Sequence, residues 1–173
     1  VFSSSTEFSA DENQSAIGRV TSTDVDTDDT LITYSVSGND LTITSDGILS
    51  FVELPDYEVK TSYSATITAT DGANSSTQDI TVLITDVDDT APVFVSSTSF
   101  SASENQLSIG TVTATDVDTD DALIIFSVSG SELEITAEGL LTFASTPDYE
   151  IKTSYSATIT ATDGANSSTQ DIT

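Results

Sequence analysis

Apolar and polar side chains alternate in short runs along the whole chain. The longest run covers residues 63–70, in which Tyr63, Ala65, Ile67 and Ala69 alternate with serine or threonine. Strict alternation is typical of a β-strand that buries one face. No stretch keeps the 3.6-residue period of an amphipathic helix. The pattern therefore predicts an all-β fold with about seven short strands in the first half of the chain, the others lying within residues 8–10, 17–22, 32–36, 41–43, 49–51 and 80–84.

The second half of the chain repeats the first. Residues 1–81 align with residues 93–173 without a gap, and 60 of the 81 aligned pairs are identical. A unit of about 90 residues can close one modest core. We therefore predict two tandem seven-stranded antiparallel β-sandwiches, residues 1–85 and 93–173, joined by a linker over residues 86–92. The second copy lacks a counterpart of residues 82–92, so we expect it to be a C-terminally truncated repeat from a longer array.

The charge of the chain is strongly negative. There are 29 acidic residues and three basic ones, Arg19, Lys60 and Lys152, which gives a formal charge of −26. This charge argues against nucleic acid and anionic membranes as partners. No run of about 18 apolar residues is present, so we expect no membrane insertion in this part of the protein, and any anchor lies elsewhere. A solvated acidic surface is the alternative interpretation of the charge.

Acidic residues are densest in the linker. Asp86, Asp88 and Asp89 place three carboxylates within four positions. Like charges about 4 Å apart repel by about 4 kcal/mol per pair at an effective dielectric of about 20. The three basic residues of the chain are too few to neutralise them. Carboxylate and carbonyl oxygens are the ligands that calcium prefers, so the linker is predicted to bind a hard cation.

Other acidic residues fall in turns at strand ends. The loops of a β-sandwich gather at two opposite poles, which we call the leading pole, where a copy begins, and the trailing pole, where it ends. Chain direction places Glu12, Asp56 and Glu58 at the trailing pole of the first copy. In the same way, the leading pole of each copy receives an Asp-x-Asp pair and the aspartate of an Asp-Gly turn, which are Asp24, Asp26 and Asp71 in the first copy and Asp116, Asp118 and Asp163 in the second.

Five motifs in this order resemble those of cadherin repeats. They are Asp11-Glu12-Asn13, Asp24-Val25-Asp26, Pro55-Asp56-Tyr57-Glu58, Ala69-Thr70-Asp71-Gly72 and Asp86-Val87-Asp88-Asp89-Thr90-Ala91-Pro92-Val93-Phe94. The chain thus resembles a tandem pair of cadherin repeats. Its duplicated, Ser/Thr-rich and cysteine-free sequence is most similar to repeats of bacterial surface proteins. The resemblance implies cadherin/Ig-like Greek-key sandwiches and about three Ca²⁺ ions at the junction between the repeats.

The resemblance also implies which residues bind these ions. The expected ligands are the side chains of Glu12, Asp56, Glu58, Asp86, Asp88, Asp89, Asp116, Asp118 and Asp163 and the carbonyls of Val87 and Thr90. Asp88 and Thr90 depart from the family pattern, which has asparagine at both positions. Whether Asp120 or Asp121 completes the third ion stays open. Weak half-sites are expected at the two outer poles, at Asp24, Asp26, Asp71, Glu104, Asp148 and Glu150.

The implied function is that of a calcium-rigidified spacer and adhesion module of a cell-surface or secreted protein. Its expected partners are neighbouring repeats of the same array and another protein or polysaccharide surface. The chain has no tryptophan, so adhesion by the tryptophan exchange of vertebrate cadherins is not expected.

Three alternative functions fit the sequence less well. An EF-hand loop starting at Asp24 would need a bidentate glutamate at its twelfth position, where the chain has Ser35, so this alternative is not expected. An enzyme is not expected, because the chain lacks histidine and cysteine, and the recurrence of Asp56 and Glu58 in the second copy suits a structural site better than glycosidase chemistry. The main rival is a carbohydrate-binding accessory module of a secreted enzyme. It requires exposed aromatic rings, whereas most of the aromatic residues fall on the inward phase of their strands.

Overall fold

The computed structural model describes residues 1–26, 28 and 31–173, which form two compact units, Val1–Val87 and Asp88–Thr173. The division falls inside the predicted linker, residues 86–92. Among the described residues, no helix is long and apolar enough to cross a membrane. The described strands of the first unit are β1 (Glu7–Asp11), β2 (Ala16–Arg19), β3 (Thr33–Val36), β4 (Leu41–Ile43), β5 (Ile48–Phe51), β6 (Ser62–Thr70) and β7 (Ser75–Thr85).

The first unit is a sandwich of two sheets. One sheet has the strand order β1-β7-β6-β3 and the other has the order β2-β5-β4. Val82 and Ile67 from the first sheet and Leu49 from the second form a single core cluster, and each of these side chains is fully buried. The Phe51 and Tyr63 rings pack edge to face in the same core, with centroids 5.1 Å apart. The predicted all-β sandwich is confirmed.

One strand pair differs from the predicted antiparallel arrangement. β1 pairs in parallel with β7, with Phe8 opposite Val82 and Ala10 opposite Ile84. The physical reason is that the first and last of seven alternating strands run in the same direction. When β1 adds to the edge beside β7, the two strands are therefore parallel. The other strand pairs described in this unit are antiparallel.

The second unit is also a sandwich, and its described strands are β8 (Val93–Phe94), β9 (Ser108–Thr111), β10 (Ala114–Thr115), β11 (Ile125–Val128), β12 (Leu133–Ile135), β13 (Leu140–Phe143), β14 (Ala157–Thr162) and β15 (Ser167–Ile172). None of these strands corresponds to β1, and β14 and β15 are shorter than their counterparts β6 and β7. Its sheets have the orders β11-β14-β15, β12-β13-β9 and β10-β8, and one 3₁₀ turn lies at Asp121–Leu123. The core centres on Val112, Leu141, Ile159 and Ala161, all fully buried.

Candidate metal centre

The carboxylate of Glu12 is buried at the trailing pole of the first unit. Glu12 follows the end of β1 and is 3% exposed. The backbone N–H of Val87 donates to its Oε1 at 2.9 Å, and the backbone N–H of Tyr57 donates to its Oε2 at 2.8 Å. The next residue, Asn13, turns the chain with a φ of 61°, a left-handed conformation that asparagine tolerates better than most residues. Glu12 therefore ties the end of the unit to the loop before β6.

Two more carboxylates lie beside Glu12. Each of Glu12, Asp56 and Glu58 offers an oxygen atom, and these three atoms lie within 4.8 Å of one another. The other two are exposed, and Asp56 Oδ1 accepts the backbone N–H of Val59 at 3.0 Å. The three charges repel one another, so a cation placed between them would be held by all three. The structure thus brings together the residues predicted for the trailing pole.

The corresponding residues of the second unit form the same kind of cluster. Glu104, Asp148 and Glu150 meet the same 4.8 Å limit, but all three are exposed. Glu104 Oε2 accepts the backbone N–H of Tyr149 at 3.1 Å, as Glu12 does from Tyr57. The same motif therefore forms a more solvated cluster here.

The leading pole of the second unit holds two half-satisfied carboxylates. Asp116 Oδ1 accepts the backbone N–H groups of Asp118 at 2.9 Å and of Thr119 at 3.1 Å. Asp163 Oδ1 accepts those of Ala165 at 2.7 Å and of Asn166 at 2.6 Å. In each residue the second oxygen, Oδ2, is buried and has no hydrogen-bond partner within the described part of the chain. A buried carboxylate oxygen without a donor is costly.

Residues 88–90 of the predicted linker are bound to this same pole. Asp118 Oδ2 accepts the backbone N–H groups of Asp89 at 3.1 Å and of Thr90 at 2.8 Å. Asp88 accepts three hydrogen bonds of 3.1 Å, one from the Thr119 hydroxyl and two from the Asn166 side-chain amide. The amide donates to both the carbonyl and the carboxylate of Asp88. These contacts fix residues 88–90, the middle of the predicted linker, on the second unit.

Asn166 and Thr119 were missed from the sequence. Both are neutral, so the clustering of acidic residues that marks the other candidate ligands does not mark them. A signal for Asn166 was present, because an Asp-Gly-Ala-Asn turn follows the longest predicted strand in both copies. Asp120 and Asp121 both make hydrogen bonds: Asp120 Oδ1 accepts from the N–H of Ala122 at 3.0 Å, and Asp121 Oδ1 from the N–H of Asp116 at 2.8 Å.

The leading pole of the first unit has the same turns. Asp24 Oδ1 accepts the backbone N–H of Asp26 at 2.9 Å. Asp71 Oδ1 accepts the N–H groups of Asn74 at 2.6 Å and Ala73 at 2.7 Å, and these bonds lower the pKa of Asp71. A cleft of about 130 Å³ lies between these turns. In the described residues, no group of three carboxylates within 4.8 Å includes Asp24, Asp26 or Asp71.

The donor atoms suit a hard cation. All the candidate groups offer oxygen, in the form of carboxylates and backbone carbonyls, and none offers sulfur or imidazole, because the chain has no cysteine or histidine. Calcium and magnesium take such oxygen ligands, and calcium accepts more of them in looser geometry. The buried Oδ2 atoms of Asp116 and Asp163 are the best fit, since a bound ion would supply the positive partner that they lack.

Solved structures of cadherin ectodomains have a fold similar to that of this chain. The chain superposes on human protocadherin-24 EC1-2 with a TM-score of 0.77, at 19% identity, covering 97% of this chain and 89% of that one. It superposes on mouse cadherin-23 EC22-24 with a TM-score of 0.74, at 23% identity, covering 96% of this chain and 61% of that one. The fold is cadherin-like.

Sequence comparisons agree with this cadherin-like fold. The chain is 34% identical to mouse Protocadherin Fat 4 over 148 residues, which are 76% of this chain and 3% of that protein. It is 34% identical to mouse Cadherin EGF LAG seven-pass G-type receptor 2 over 159 residues, which are 83% of this chain and 5% of that protein. Residues 88–173 also match a family model described as a bacterial Ig domain. The chain spans only a small part of the length of the two cadherin relatives.

Proposed function

We propose that this chain is a calcium-rigidified extracellular spacer and adhesion module of a cell-surface or secreted protein, of the bacterial surface-protein type. The observation that carries the proposal is the pair of buried carboxylate oxygens, Asp116 Oδ2 and Asp163 Oδ2, which lack a donor among the described residues. In a chain of charge −26 with three basic side chains, a bound cation is the available source of positive charge.

The proposed ions occupy the junction between the repeats. Glu12, Asp56 and Glu58 form one acidic cluster within the first unit. Within the second unit, Asp118 and Asn166 hold residues 88–90 close to the leading pole. We infer that these two groups share the ions, because their motifs occur along the chain in the order expected for such a junction. About three Ca²⁺ ions bring six positive charges against the nine carboxylates of the proposed ligand set.

Calcium would act on this joint by linkage. Without it the nine carboxylates repel, and a junction between two domains is flexible by default. Ions that share ligands from both repeats and the linker stabilise the arrangement in which those ligands converge. Each unit keeps its own apolar core, so the strands themselves do not depend on the metal. Calcium is therefore expected to stiffen the chain with little change in secondary structure.

Titration calorimetry and small-angle scattering test the proposal together. We expect uptake of several Ca²⁺ ions with Kd of about 10⁻⁵ to 10⁻³ M and a narrower distribution of chain dimensions in calcium than in EDTA. Asp163→Asn should weaken both effects. Asp171→Asn is the charge-matched control, because Asp171 lies on β15 and accepts from the Thr158 hydroxyl at 2.6 Å. No heat of binding at 10 mM calcium, or equal dimensions in the two conditions, would refute the proposal.

The carbohydrate-binding alternative gains no support from the described residues. Such a module needs a platform of exposed aromatic rings. Tyr149, at 63% exposure, is the one mostly exposed aromatic side chain in the described part of the chain, and its counterpart Tyr57 packs against the core of the first unit. A single ring does not form a platform.

A further inference from the structure

A groove in the first unit lies between the β3–β4 turn and the segment that follows β5. It encloses about 400 Å³, and Tyr63, the second residue of β6, is one of the residues that line it. Three aliphatic side chains that line the groove are largely exposed, Val52 at 58%, Leu54 at 60% and Val59 at 80%. A group of exposed aliphatic side chains around a concave surface of this size is typical of a binding site.

The polar part of the groove is acidic. Asp40, Glu53 and Asp56 line it, and all three are exposed. Lys60 lies beside the groove, where its Nζ is 2.7 Å from Asp40 Oδ2 and 4.0 Å from the centroid of the Tyr63 ring. One positive charge therefore faces three negative charges, so the groove attracts a further cation.

The second unit has the same backbone contact at this position but different side chains. Val52 N–H donates to the Asp40 carbonyl at 2.9 Å, and in the second unit Ala144 N–H donates to the Glu132 carbonyl at 2.9 Å. The sequence Val-Glu-Leu of residues 52–54 becomes Ala-Ser-Thr from Ala144 onward. This change removes one negative charge and replaces two large aliphatic side chains by smaller ones.

Differences between the two copies are concentrated at this groove. Six of the eight residues that line it differ from their counterparts in the second copy, compared with 21 of all 81 aligned positions. Exposure alone does not explain the concentration, because Ser62 and Thr77 are also exposed and lie in residues 61–81, which are identical in both copies. A common backbone with different side chains at the contact surface is expected where two copies differ in what they bind.

We propose that the groove of the first unit binds a basic segment of another protein, in which lysine or arginine stands between aliphatic side chains. The cationic group pairs with Glu53 and Asp56, and the flanking aliphatic side chains pack on Val52 and Leu54. A small cation alone would leave these aliphatic side chains uncovered. A second copy of this chain is a poor occupant, because it carries a formal charge of −26 and repels the first. The site goes beyond the proposed calcium function and does not depend on bound metal.

A synthetic peptide tests the chemistry of the occupant. The probe is the capped peptide Leu-Lys-Val-Lys-Leu, added to the whole chain in EDTA at about 0.15 M ionic strength, so that calcium plays no part and distant charges are screened. We expect heat of binding in calorimetry and NMR shift changes confined to residues 39–40 and 52–63. A peptide with glutamate in place of both lysines should not bind. A peptide with serine in place of its three aliphatic residues should bind at least about five-fold more weakly.

Substitutions taken from the second copy test the location. Replacing residues 52–54 by Ala-Ser-Thr should preserve the fold, because the second unit forms the same backbone hydrogen bond with this sequence, and should weaken binding of the probe at least about ten-fold. Leu54→Thr should also weaken binding, without a change of charge. Glu7→Ser is the charge-matched control and also introduces the second copy's residue. Glu7 is exposed and does not line the groove, so this variant should bind the probe like the original chain.

Four outcomes would overturn the proposal. The first is no binding of the probe at about 1 mM. The second is equal binding of the probe to the original chain and to the chain with Ala-Ser-Thr at residues 52–54. The third is an equal loss of binding in that variant and in Glu7→Ser, because overall charge would then explain the attraction. The fourth is a dimer of the original chain that the Ala-Ser-Thr variant does not form, detected by analytical ultracentrifugation, because the groove would then take a second copy.

Discussion

Removing the buried carboxylate of Glu12 should destabilise the first unit, whereas removing its counterpart Glu104 should barely affect the second. Glu12 is 3% exposed and accepts two backbone hydrogen bonds, of 2.9 and 2.8 Å. Glu104 is exposed, and the backbone donor described for it is the N–H of Tyr149 at 3.1 Å. Each residue also lies in a cluster with two further carboxylates. The two substitutions therefore differ in hydrogen bonding and burial, while each removes one of three clustered carboxylates.

The magnitude follows from this comparison. A hydrogen bond to a charged group contributes about 1.5–3 kcal/mol, and a buried donor left without an acceptor costs about 1–3 kcal/mol. Relief of repulsion offsets part of the loss in both variants, by about 1 kcal/mol or less per pair at the exposed Glu104 and by more at the buried Glu12, where solvent screens less. Glu12→Ala loses one more backbone hydrogen bond and leaves buried donors without an acceptor, so it should lower the free energy of unfolding by about 1.5–3 kcal/mol more than Glu104→Ala does.

Denaturant unfolding followed by NMR in EDTA measures the difference, because the resonances of each unit report its own transition. Chelation excludes any contribution from bound metal, and separate resonances avoid treating two domains as one two-state system. Equal losses for Glu12→Ala and Glu104→Ala would contradict the reasoning. A gain in stability from Glu12→Ala would show that repulsion among the three carboxylates outweighs the backbone hydrogen bonds.

Three further predictions concern single positions in the first unit. Ile67→Ala, at a fully buried site, should lower the free energy of unfolding by about 2–5 kcal/mol, measured by denaturant titration. The Thr44 hydroxyl donates to Asp46 at 2.6 Å and lowers the pKa of this carboxyl, so the bond adds stability above about pH 4 that is lost as the pH falls through the lowered pKa. An NMR titration should therefore show a higher pKa for Asp46 in Thr44→Val but not in Thr44→Ser. Gly47→Ala should cost more stability than Gly38→Ala, since φ is positive at both but an added Cβ at Gly47 would lie 2.3 Å from a backbone carbonyl oxygen; equal melting temperatures would contradict this.

The strand pattern could be predicted from the sequence because burial follows the period-two alternation. In β6, Ile67 and Ala69 lie on the predicted inward phase and are buried, with exposures of 0% and 5%. The strand at Leu41–Ile43 has the predicted bounds, whereas β7 begins at Ser75, five residues before the predicted start at residue 80. Residues 75–79 are polar and largely exposed, so hydrophobic alternation gives no signal there. They join the strand because they pair with β6.

The candidate site was predictable in its residue types but not in its contacts. Glu12, Asp56 and Glu58, which the motifs predicted together, form one cluster, whereas no described cluster of three carboxylates includes Asp24, Asp26 or Asp71. The hydrogen bonds of Asp88 with Thr119 and Asn166 could not be read from the sequence, because they depend on how two loops far apart in the chain approach each other. Whether these carboxylates bind calcium stays a prediction.

The limit of sequence reasoning is clearest in the segment that the chain contains twice. Residues 61–81 and 153–173 are identical, yet β6 begins at Ser62 whereas β14 begins at Ala157. The local propensities are the same, so the difference arises from the neighbouring backbone. In the first unit, Leu83 and Val82 pair with residues 62 and 63. The second unit has no such strand beside residues 154 and 155 among its described residues, and Glu104, whose counterpart Glu12 binds the chain just beyond that strand, stays exposed. Strand formation at the start of β6 and burial of the trailing-pole glutamate thus depend on the same neighbouring strand and not on the local sequence.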